Sequence, residues 1–521
     1  MKKTAFPVGL PALLLSLLLS LLLSLCLCLI PASAVLAQEE AKPAALSLRP
    51  NLAGQVAQPL RYRPDGQDFV IENGREFFNR PLYGGNTAFR ADGGDLPEFS
   101  LYLPGRGGNL RFGIRTAAGA KWLHDATSIT TRYRPGELHY EIADGLLGPE
   151  GRIRIVAVAY ASSEGLGLEV RGHALGTPVE LVFAYGPGNG ERGRRDGDIG
   201  TERVPISQYF QFTPAVAAGS TIGLSGSSFH VANASAVVSA TVGAAARLQQ
   251  ADARHWNNLG ALLGAAPPEL AKGNVVLGRA PLTEQGVQLG LLVTGKAAIE
   301  ELGVYTEVGA KSEAWAAAAQ APGLKPAPSS PAVLTAADLP RRLADARAHF
   351  ERLRTSVRID TPDPYLNAAM GALNVANDAV WDEAEGAIMH GAIAWRTKLL
   401  GWRGPYALDA LGQHDRARRN LDVWTAKQNT APIAPALPPA DPGANLSRNE
   451  PGLHSNGDLS KSHYDMNTVF VDGLLRHLQW TGDLPTPRRS GRCWSATWPG
   501  NAACSGASTD PTGCHCTKPT P

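Results

Sequence analysis

The chain has 521 residues, of which 44% are hydrophobic, so it is long enough for two or three domains that each bury a core. Its 49 Lys and Arg residues nearly balance 47 Asp and Glu residues, which leaves a net charge of +2. A charge so close to zero argues against a general nucleic-acid binder, because such proteins need a basic field. Residues 29–492 contain no cysteine and therefore neither disulfides nor thiolate metal sites. We predict no nucleic-acid partner, no metal and no cofactor.

Residues 1–37 have the pattern of a secretory signal peptide. Lys2 and Lys3 precede an apolar run from Leu10 to Ile30, and the small residue Ala37 offers a cleavage point. We therefore predict a periplasmic or secreted protein that has no stable membrane association after cleavage. An uncleaved membrane anchor stays open as the alternative, because about 20 apolar residues can span a bilayer.

Residues 49–310 are predicted to form an antiparallel β-sandwich. Short apolar runs are punctuated by Gly, Pro and Asp, and the stretch Arg152 to Val158 alternates between polar and apolar residues at its start. The predicted strands include residues 98–103, 110–115, 152–160, 166–171 and 179–185. A Gly-rich stretch at residues 186–197 lacks the Lys-Ser/Thr pair of a phosphate-binding loop, so we interpret it as a flexible loop.

Helical periodicity replaces the strand pattern in the second half of the chain. Residues 311–357 are predicted to contain a linker and a helix that Asp338 caps at its N-terminus. The apolar stripe of this helix consists of Leu339, Leu343, Ala346, Phe350 and Leu353. Residues 358–483 are predicted to form further helices, over about 364–381, 406–424 and 464–480. The predicted apolar side of the first consists of Leu366, Met370, Leu373, Asn377 and Val380.

Two segments of the helical region carry a likeness to a known superfamily. The first is Trp395-Arg-Thr-Lys-Leu-Leu-Gly-Trp402-Arg-Gly-Pro-Tyr-Ala-Leu-Asp409, and the second is His463-Tyr-Asp-Met-Asn-Thr-Val-Phe-Val-Asp472. Together with the preceding sandwich and helix, they resemble the six-hairpin glycosidases, in which a β-sandwich precedes an (α/α)6 toroid. The resemblance covers residues 49–483. It implies that residues 358–483 form the first part of such a toroid.

The first segment is also distantly similar to the signature of the α-L-rhamnosidases. Arg396 and Gly404 stand at matching positions. Ala392, Lys398 and Pro405 stand where that signature has acidic residues, so rhamnosidase chemistry is not carried over to this chain.

The candidate active site combines carboxylates with residues that suit a sugar. Cleavage of a glycosidic bond needs one carboxylic acid and one carboxylate on either side of the reacting carbon. Sugars also present apolar ring faces and many hydroxyl groups, which suit aromatic, Arg and Asn side chains. The predicted catalytic residues are Asp409, Asp465 and Glu383. The predicted substrate-binding residues are Trp395, Arg396, Trp402, Arg403 and Asn467.

Each candidate also has a structural alternative. Asp409 fits a solvated helix position, Asp465 fits a helix N-cap, and Glu383 fits a solvated loop. Trp395 and Trp402 are seven residues apart, as core residues often are. His390, His463 and His477 lack a metal-binding spacing and are interpreted as loop or helix-surface residues.

Residues 484–521 differ from the rest of the chain. This tail is rich in Cys, Trp, Ser, Thr and Pro and has no amphipathic period. A reading-frame shift of one nucleotide would turn its Cys and Trp codons into codons for Leu, Met or Val, at mostly helical spacings. We therefore expect a frameshifted tail on a truncated toroid. We do not expect the four cysteines of this tail to form a zinc site.

The sequence therefore predicts an exported glycoside hydrolase, in a truncated form, that acts on an oligo- or polysaccharide through a carboxylate pair. A polysaccharide lyase is the alternative within enzymes, since lyases also combine toroids with sandwiches. A non-catalytic carbohydrate-binding protein that uses its sandwich is the alternative from another class.

Overall fold

The computed structural model of the protein describes residues 60–103, 105–191, 206–233, 236–264, 273–294, 334–389, 391–392, 396, 398, 405–426 and 465–482. The predicted signal peptide, the predicted linker up to residue 333 and the predicted frameshifted tail 484–521 lie outside these residues.

Two antiparallel sheets contain nearly all of the described strands. The strands are β1 Arg63–Asp65, β2 Asp68–Glu72, β3 Arg80–Tyr83, β4 Arg90–Gly93, β5 Glu98–Tyr102, β6 Arg106–Thr116, β7 Gly119–Trp122, β8 Ser128–Arg134, β9 Glu137–Ala143, β10 Arg152–Ala159, β11 Gly165–His173, β12 Val179–Pro187, β13 Thr221–Ser225, β14 Ser228–Ala232, β15 Val237–Val242, β16 Arg247–Asp252, β17 Asn274–Leu282, β18 Val287–Thr294, β19 Trp381–Asp382 and β20 Ala387–Ile388. The first sheet has the order β1-β2-β8-β9-β10-β11-β18-β15-β14-β13. The second has the order β16-β17-β12-β6-β5-β4-β3, with β7 paired to β6. β19 and β20 form a separate hairpin.

The alternation of side chains turns one face of each sheet inward. In β10, Ile153 and Ile155 are buried, whereas Arg154 between them is exposed. The two sheets share one core, in which Phe99 of β5 packs edge-to-face on Tyr140 of β9 with 6.0 Å between the ring centroids. The prediction of antiparallel sheets followed by helices is confirmed, and the five predicted strands correspond to β5, β6, β10, β11 and β12.

Seven α-helices lie within the described residues. They are α1 Ile206–Tyr209, α2 Leu259–Gly264, α3 Leu339–Arg354, α4 Pro364–Ala379, α5 Pro405–Ala410, α6 His414–Thr425 and α7 Asp465–Thr481. Within the part of the chain that the structure describes, no helix is long and apolar enough to cross a membrane.

Helix α3 covers the outer face of the ten-stranded sheet. Its predicted apolar stripe packs on Val158 of β10, on Tyr160 and on Leu292 of β18. Val158 points away from the side of β10 that carries Ile153 and Ile155, so α3 and the second sheet lie on opposite faces. Leu353 is half-buried and the other four stripe residues are buried, which confirms the predicted stripe.

Asp338 stands at the predicted N-cap position of α3, which begins at Leu339, but its side chain makes no capping bond to that helix. Its Oδ2 instead accepts hydrogen bonds from the backbone N–H of Thr335, at 3.3 Å, and from Thr335 Oγ1, at 2.6 Å. The two residues form a capping box around the short 3-10 turn Ala336–Asp338, so the helical run is capped at Thr335, one turn before α3 begins at Leu339.

The predicted apolar side of α4 is wrong. Leu366 and Leu373 are 53% and 60% exposed, and the buried side carries shorter residues such as Gly371 and Val375. Buried Asn374 donates from Nδ2 to the carbonyl oxygen of Arg354, at 3.1 Å. Helix α4 thus packs against the polar C-terminal end of α3. Because that surface is polar, the side of α4 that faces it carries small and polar residues.

The predicted helix over residues 406–424 is two helices. Helix α5 ends at a left-handed residue, Gly412, with φ +72°. The backbone N–H of Gln413 donates to the carbonyl oxygen of Leu408, at 2.7 Å, and that of Gly412 donates to that of Asp409, at 3.0 Å. This pair of bonds is a Schellman motif, which terminates a helix at a glycine. The chain therefore reverses at residues 411–413 before α6 begins.

A buried ion cluster joins the sandwich to α3. Glu137 of β9 contacts Arg354 Nη1 through Oε1, at 2.9 Å, and contacts Arg347 Nε, at 3.1 Å, and His139 Nε2, at 2.9 Å, through Oε2. Burial alone would raise the pKa of Glu137, but the hydrogen bond and charge of His139 and the charges of Arg347 and Arg354 outweigh it and lower the pKa to about 2. The carboxylate is therefore more stable in the folded state than in the unfolded state.

This cluster predicts a specific loss of stability in acid. A lowered folded pKa contributes stability above the unfolded pKa of about 4.3, and this stability disappears as the pH falls toward 2. The contribution is about 3 kcal/mol. Urea unfolding of the wild type and Glu137→Gln at pH 7 and pH 3 should therefore show a large gap at pH 7 that shrinks at pH 3. The control Glu141→Gln alters an exposed pair on the same strand and should leave the pH profile unchanged.

Candidate functional site

The β19–β20 hairpin holds the first predicted catalytic residue, Glu383. Its Oε2 accepts a hydrogen bond from Trp381 Nε1 and its Oε1 from Arg419 Nη1, both at 2.7 Å. The side chain is 58% exposed, as the solvated-loop alternative predicts. Burial opposes ionisation, but the Trp381 hydrogen bond and the Arg419 contact outweigh it and lower the pKa of Glu383. The structure thus places Glu383 in a surface contact between the hairpin and α6, and its catalytic role stays a prediction.

Arg396, a predicted sugar-binding residue, is largely buried and has protein acceptors for every N–H group. Nε donates to Asp382 Oδ2 at 3.2 Å. Nη1 donates to the carbonyl oxygens of Ala379, at 3.3 Å, and Ala392, at 2.7 Å. Nη2 donates to those of Asn86, at 2.9 Å, and Trp381, at 3.0 Å. A guanidinium offers five donors, so this arrangement uses all of them in the protein itself.

Asn86, in the turn between β3 and β4, is the point at which the sandwich contacts α4, α6 and the connection before α5. Its backbone has φ +50°, a left-handed conformation that Asn tolerates better than most residues. Asn86 Nδ2 donates to the carbonyl oxygen of Asp378, at 2.9 Å, and to Asp378 Oδ2, at 3.1 Å. Arg416 Nη1 donates to Asp378 Oδ1 at 2.6 Å. We call Asn86, Asp378, Asp382, Arg396 and Arg416 the junction cluster.

Asp409, the second predicted catalytic residue, is buried between two imidazoles. It is only 2% exposed, which overturns the alternative of a solvated helix position. Its Oδ1 lies 2.9 Å from Nδ1 of His414 and 2.9 Å from Nδ1 of His477. An ionised carboxylate only accepts, so each imidazole donates its Nδ1–H and presents Nε2 on its other side. His477 is itself buried, which corrects the interpretation of this residue as a surface histidine.

Helices α5 and α7 are joined by a second polar contact, one turn away from Asp409. Tyr406 donates its hydroxyl hydrogen bond to Asp472 Oδ2, and Arg476 Nε donates to the same carboxylate at 2.9 Å. Burial and the nearby Asp472 raise the pKa of Tyr406 to about 12. The hydrogen bond from Tyr406, with the help of Arg476, lowers the pKa of Asp472. Asp472 is half-exposed, in contrast to buried Asp409.

The order of these contacts fixes the direction of the helices. Tyr406 and Asp409 follow one another along α5, and their partners Asp472 and His477 follow in the same order along α7. The two helices therefore run in the same direction. Helix α6 runs the opposite way, because it begins beside Asp409 and its later residues pack on Phe470 and Leu474 of α7.

Several predicted site residues cannot be compared with this geometry. Trp395, Trp402 and Arg403 lie outside the described residues. Asp465 and Asn467 belong to the first turn of α7, where the structure describes the backbone only. Among the side chains that the structure describes, no three His, Cys, Asp or Glu residues are grouped so that they could hold a metal ion.

The sequence interpretation missed the polar partners that complete these contacts. Tyr406, His414 and Asp472 were not among the candidates. A signal for them is present in the spacing, because Tyr406 and Asp409 are three residues apart and Asp472 and Arg476 are four apart, so each pair shares one helix face.

Comparison with known proteins gives one partial family match. The family model described as a domain of unknown function, DUF4450, matches residues 103–255, which lie in the sandwich. A search of curated proteins gave no match.

Solved structures similar to this chain are carbohydrate-active enzymes. A bacterial glucoamylase complexed with acarbose is 9% identical, with 68% of this chain and 51% of that chain covered and a TM-score of 0.40. A provisionally assigned kojibiose phosphorylase from the human microbiome is 9% identical, with coverages of 84% and 59% and a TM-score of 0.41. A family GH92 inverting mannosidase from Bacteroides thetaiotaomicron is 8% identical, with coverages of 83% and 60% and a TM-score of 0.33. The chain thus spans between about half and three fifths of these enzymes, and TM-scores this low transfer neither fold nor activity.

The contacts of Arg396 predict that it supports the fold. Arg396→Lys leaves several of the buried acceptors without a donor, so we expect the free energy of unfolding in urea to fall by about 2–4 kcal/mol. Arg418→Lys is the matched control, because the ion pair described for Arg418 is with the exposed Asp415, and it should change stability by less than about 0.5 kcal/mol. Equal stability of the two variants would contradict the structural role.

The buried position of Asp409 predicts graded effects of its replacement. Asp409→Asn keeps one accepting oxygen, whereas Asp409→Leu leaves both Nδ1–H groups without this acceptor. We expect Asp409→Leu to lower the free energy of unfolding by about 1–3 kcal/mol and Asp409→Asn by less. Urea unfolding measures both, and Asp415→Asn, which alters a 93% exposed side chain of α6, is the control. A leucine variant as stable as the wild type would show that the two contacts contribute nothing.

Proposed function

We propose that the protein is an exported carbohydrate-active enzyme that cleaves glycosidic bonds where α5 and α7 begin. The observation that carries this proposal is the common direction of α5 and α7, which brings their N-terminal ends to one side of the helical layer. The sequence segments with sugar-binding character lead into these two ends. The signal-peptide pattern of residues 1–37 supports export to the periplasm or the medium.

The contact between Tyr406 and Asp472 sets the relative height of the two helix starts. Tyr406 is the second residue of α5, whereas Asp472 is seven residues into α7. At 1.5 Å per residue, α7 therefore extends about 10 Å beyond the start of α5. The segment with Trp395, Trp402 and Arg403 directly precedes α5 in the sequence. Its aromatic rings and hydrogen-bond donors suit a substrate with apolar ring faces and hydroxyl groups.

In this proposal, Asp465 and Asp472 form the carboxylate pair. They are seven residues apart on α7, which places their Cα atoms about 10 Å apart on one helix face. Inverting glycosidases hold their two carboxyl groups about 6.5–9.5 Å apart, which is close to this Cα separation. Tyr406 and Arg476 favour the ionised form of Asp472, which suits it to the role of general base, so Asp465 takes the role of acid.

Asp409 acts as a positioning residue in this scheme. It is buried below the pair, and its contacts with His477 of α7 and His414 of α6 hold the helices in place. The alternation of directions in α5, α6 and α7 is also the arrangement of an (α/α)6 toroid, so we assign the helical region to the first part of such a toroid.

The assignment predicts a loss of turnover in two variants. With a panel of plant and microbial oligosaccharides, Asp465→Asn and Asp472→Asn should each reduce the release of reducing sugars by about 10²–10⁴-fold, because each removes a general acid or base. Far-UV circular dichroism checks that both variants fold. Asp415→Asn, which alters a solvated carboxylate, should retain full turnover.

Other outcomes would overturn the proposal and identify its competitors. Products that absorb in the ultraviolet, as the unsaturated ends formed by β-elimination do, would indicate a lyase. Glycan binding by the wild type with no turnover of any panel member would indicate a non-catalytic binding protein. Full turnover in both variants would exclude the carboxylate pair.

A further inference from the structure

A pocket of about 390 Å³ opens on the sandwich, and none of its described lining residues belongs to the helical region. Its lining includes Glu98 of β5, Arg111 of β6, His124, Gln211, Phe212 and Asn257. This volume lies within the range of small-molecule sites, about 300–1,000 Å³. The pocket is thus large enough for a ligand, and it is built by a different part of the fold from the site proposed above.

A fixed ion pair forms one wall of the pocket. Glu98 and Arg111 are direct partners in the β5–β6 register, and Arg111 Nη2 lies 2.8 Å from Glu98 Oε2. Arg111 Nη1 also donates to the carbonyl oxygen of Trp256, at 3.0 Å, and to Asn257 Oδ1, at 3.3 Å. The guanidinium stacks over the ring of Trp256 at 4.3 Å. Strand register, hydrogen bonds and stacking therefore hold these groups in place before any ligand arrives.

His124 extends this wall toward the rim. Its ring stacks on that of Trp122, with 6.3 Å between centroids, and meets Phe77 edge-on at 5.7 Å. His124 Nδ1 lies 4.0 Å from Glu98 Oε2, and Nε2 lies 3.5 Å from Oδ2 of the exposed Asp125. Burial and the charge of Arg111 lower the pKa of His124 to about 4, so this imidazole is neutral at pH 7.

The charges of the pocket nearly cancel. Glu98 and Arg111 neutralise one another, His124 is neutral, and Asp125 at the rim is balanced by Arg75. A strongly anionic or cationic ligand would find no opposite net charge to compensate for its lost hydration. The chemistry therefore favours a neutral ligand.

The remaining groups match the surface of a sugar ring. Gln211 and Asn257 carry amides that both donate and accept hydrogen bonds, Asp125 accepts, and Arg75 donates. Phe77 and Phe212 add apolar rings to the same lining. A sugar presents hydroxyl groups that donate and accept hydrogen bonds around a ring with apolar faces, so it matches both kinds of lining.

We propose that this pocket binds a neutral sugar residue between its aromatic rings and its amide and carboxylate groups, as a second carbohydrate site within the sandwich. The proposal does not depend on the proposed cleavage of glycosidic bonds by the helical region.

Saturation-transfer NMR on the full chain tests the proposal. The probes are methyl α-D-mannopyranoside, methyl α-D-glucopyranoside and methyl β-D-galactopyranoside, with D-glucuronate and D-glucosamine as charged comparators. Concentrations up to about 20 mM detect the weak affinities expected of a single sugar ring. We expect at least one neutral probe to bind, and both charged comparators to bind at least about tenfold more weakly.

The pocket variant is Asp125→Ala combined with Gln211→Ala, both of which alter exposed side chains at the rim. It should weaken binding of the neutral probe by about tenfold or more, because it removes two hydrogen-bonding groups. Glu141→Ala combined with Gln285→Ala alters two exposed residues outside the pocket and is the matched control. Far-UV circular dichroism and urea unfolding check that both double variants fold.

Three results would overturn the proposal. They are the absence of binding by all neutral probes, stronger binding of a charged comparator, and unchanged binding in the pocket variant. Asp465→Asn separates this site from the helical one, because it should leave sugar binding at the sandwich intact even where it abolishes turnover. Binding that is lost in Asp465→Asn and retained in the pocket variant would place the sugar on the helices.

Discussion

The junction cluster is the constraint on which the arrangement of the helical region depends. Asn86 offers hydrogen-bonding groups from a strand turn. Its partners are Asp378 of α4, Arg416 of α6 and Arg396 of the connection between β20 and α5. Buried polar groups are costly when they lack partners, so the placement of these segments that satisfies all of them is favoured. The apolar packing of α3 on the sheet buries surface but does not fix the orientation of the other helices. The hydrogen bonds and ion pairs of the junction cluster fix that orientation.

A second set of polar contacts links the junction cluster to α5 and α7. Arg416 belongs to α6, which begins at His414 beside Asp409, and Asp409 in turn contacts His477 of α7. The position of α7 is therefore linked to the sandwich through a chain of short polar contacts. Because Asp472 is on the same helix, its position relative to the sandwich is fixed by these contacts.

Sequence periodicity was sufficient to predict whether a segment is a strand or a helix. It was not sufficient to predict which residues each element packs against. Alternation in residues 152–158 and the 3.6-residue stripe of α3 predict a strand and a helix correctly, because each pattern reports the burial of one face. The exposed leucines of α4 show the limit, since an apolar stripe does not reveal whether the neighbouring surface is apolar. The end of α5 could have been predicted from Gly412, because a glycine inside a predicted helix favours a helix end at that position. The burial of Asp409 depends on His477, 68 residues away, and no local pattern contains that information.

Arg396 lies within the connection between β20 and α5, and it ties that connection to the scaffold through its own side chain. A second tie comes from the isolated bridge between Met389 and Lys398. Within the described residues, this connection is therefore held by a side chain and a backbone bridge and not by a regular element. Loss of the arginine side chain would release it from the turn at Asn86 and from the hairpin at the same time.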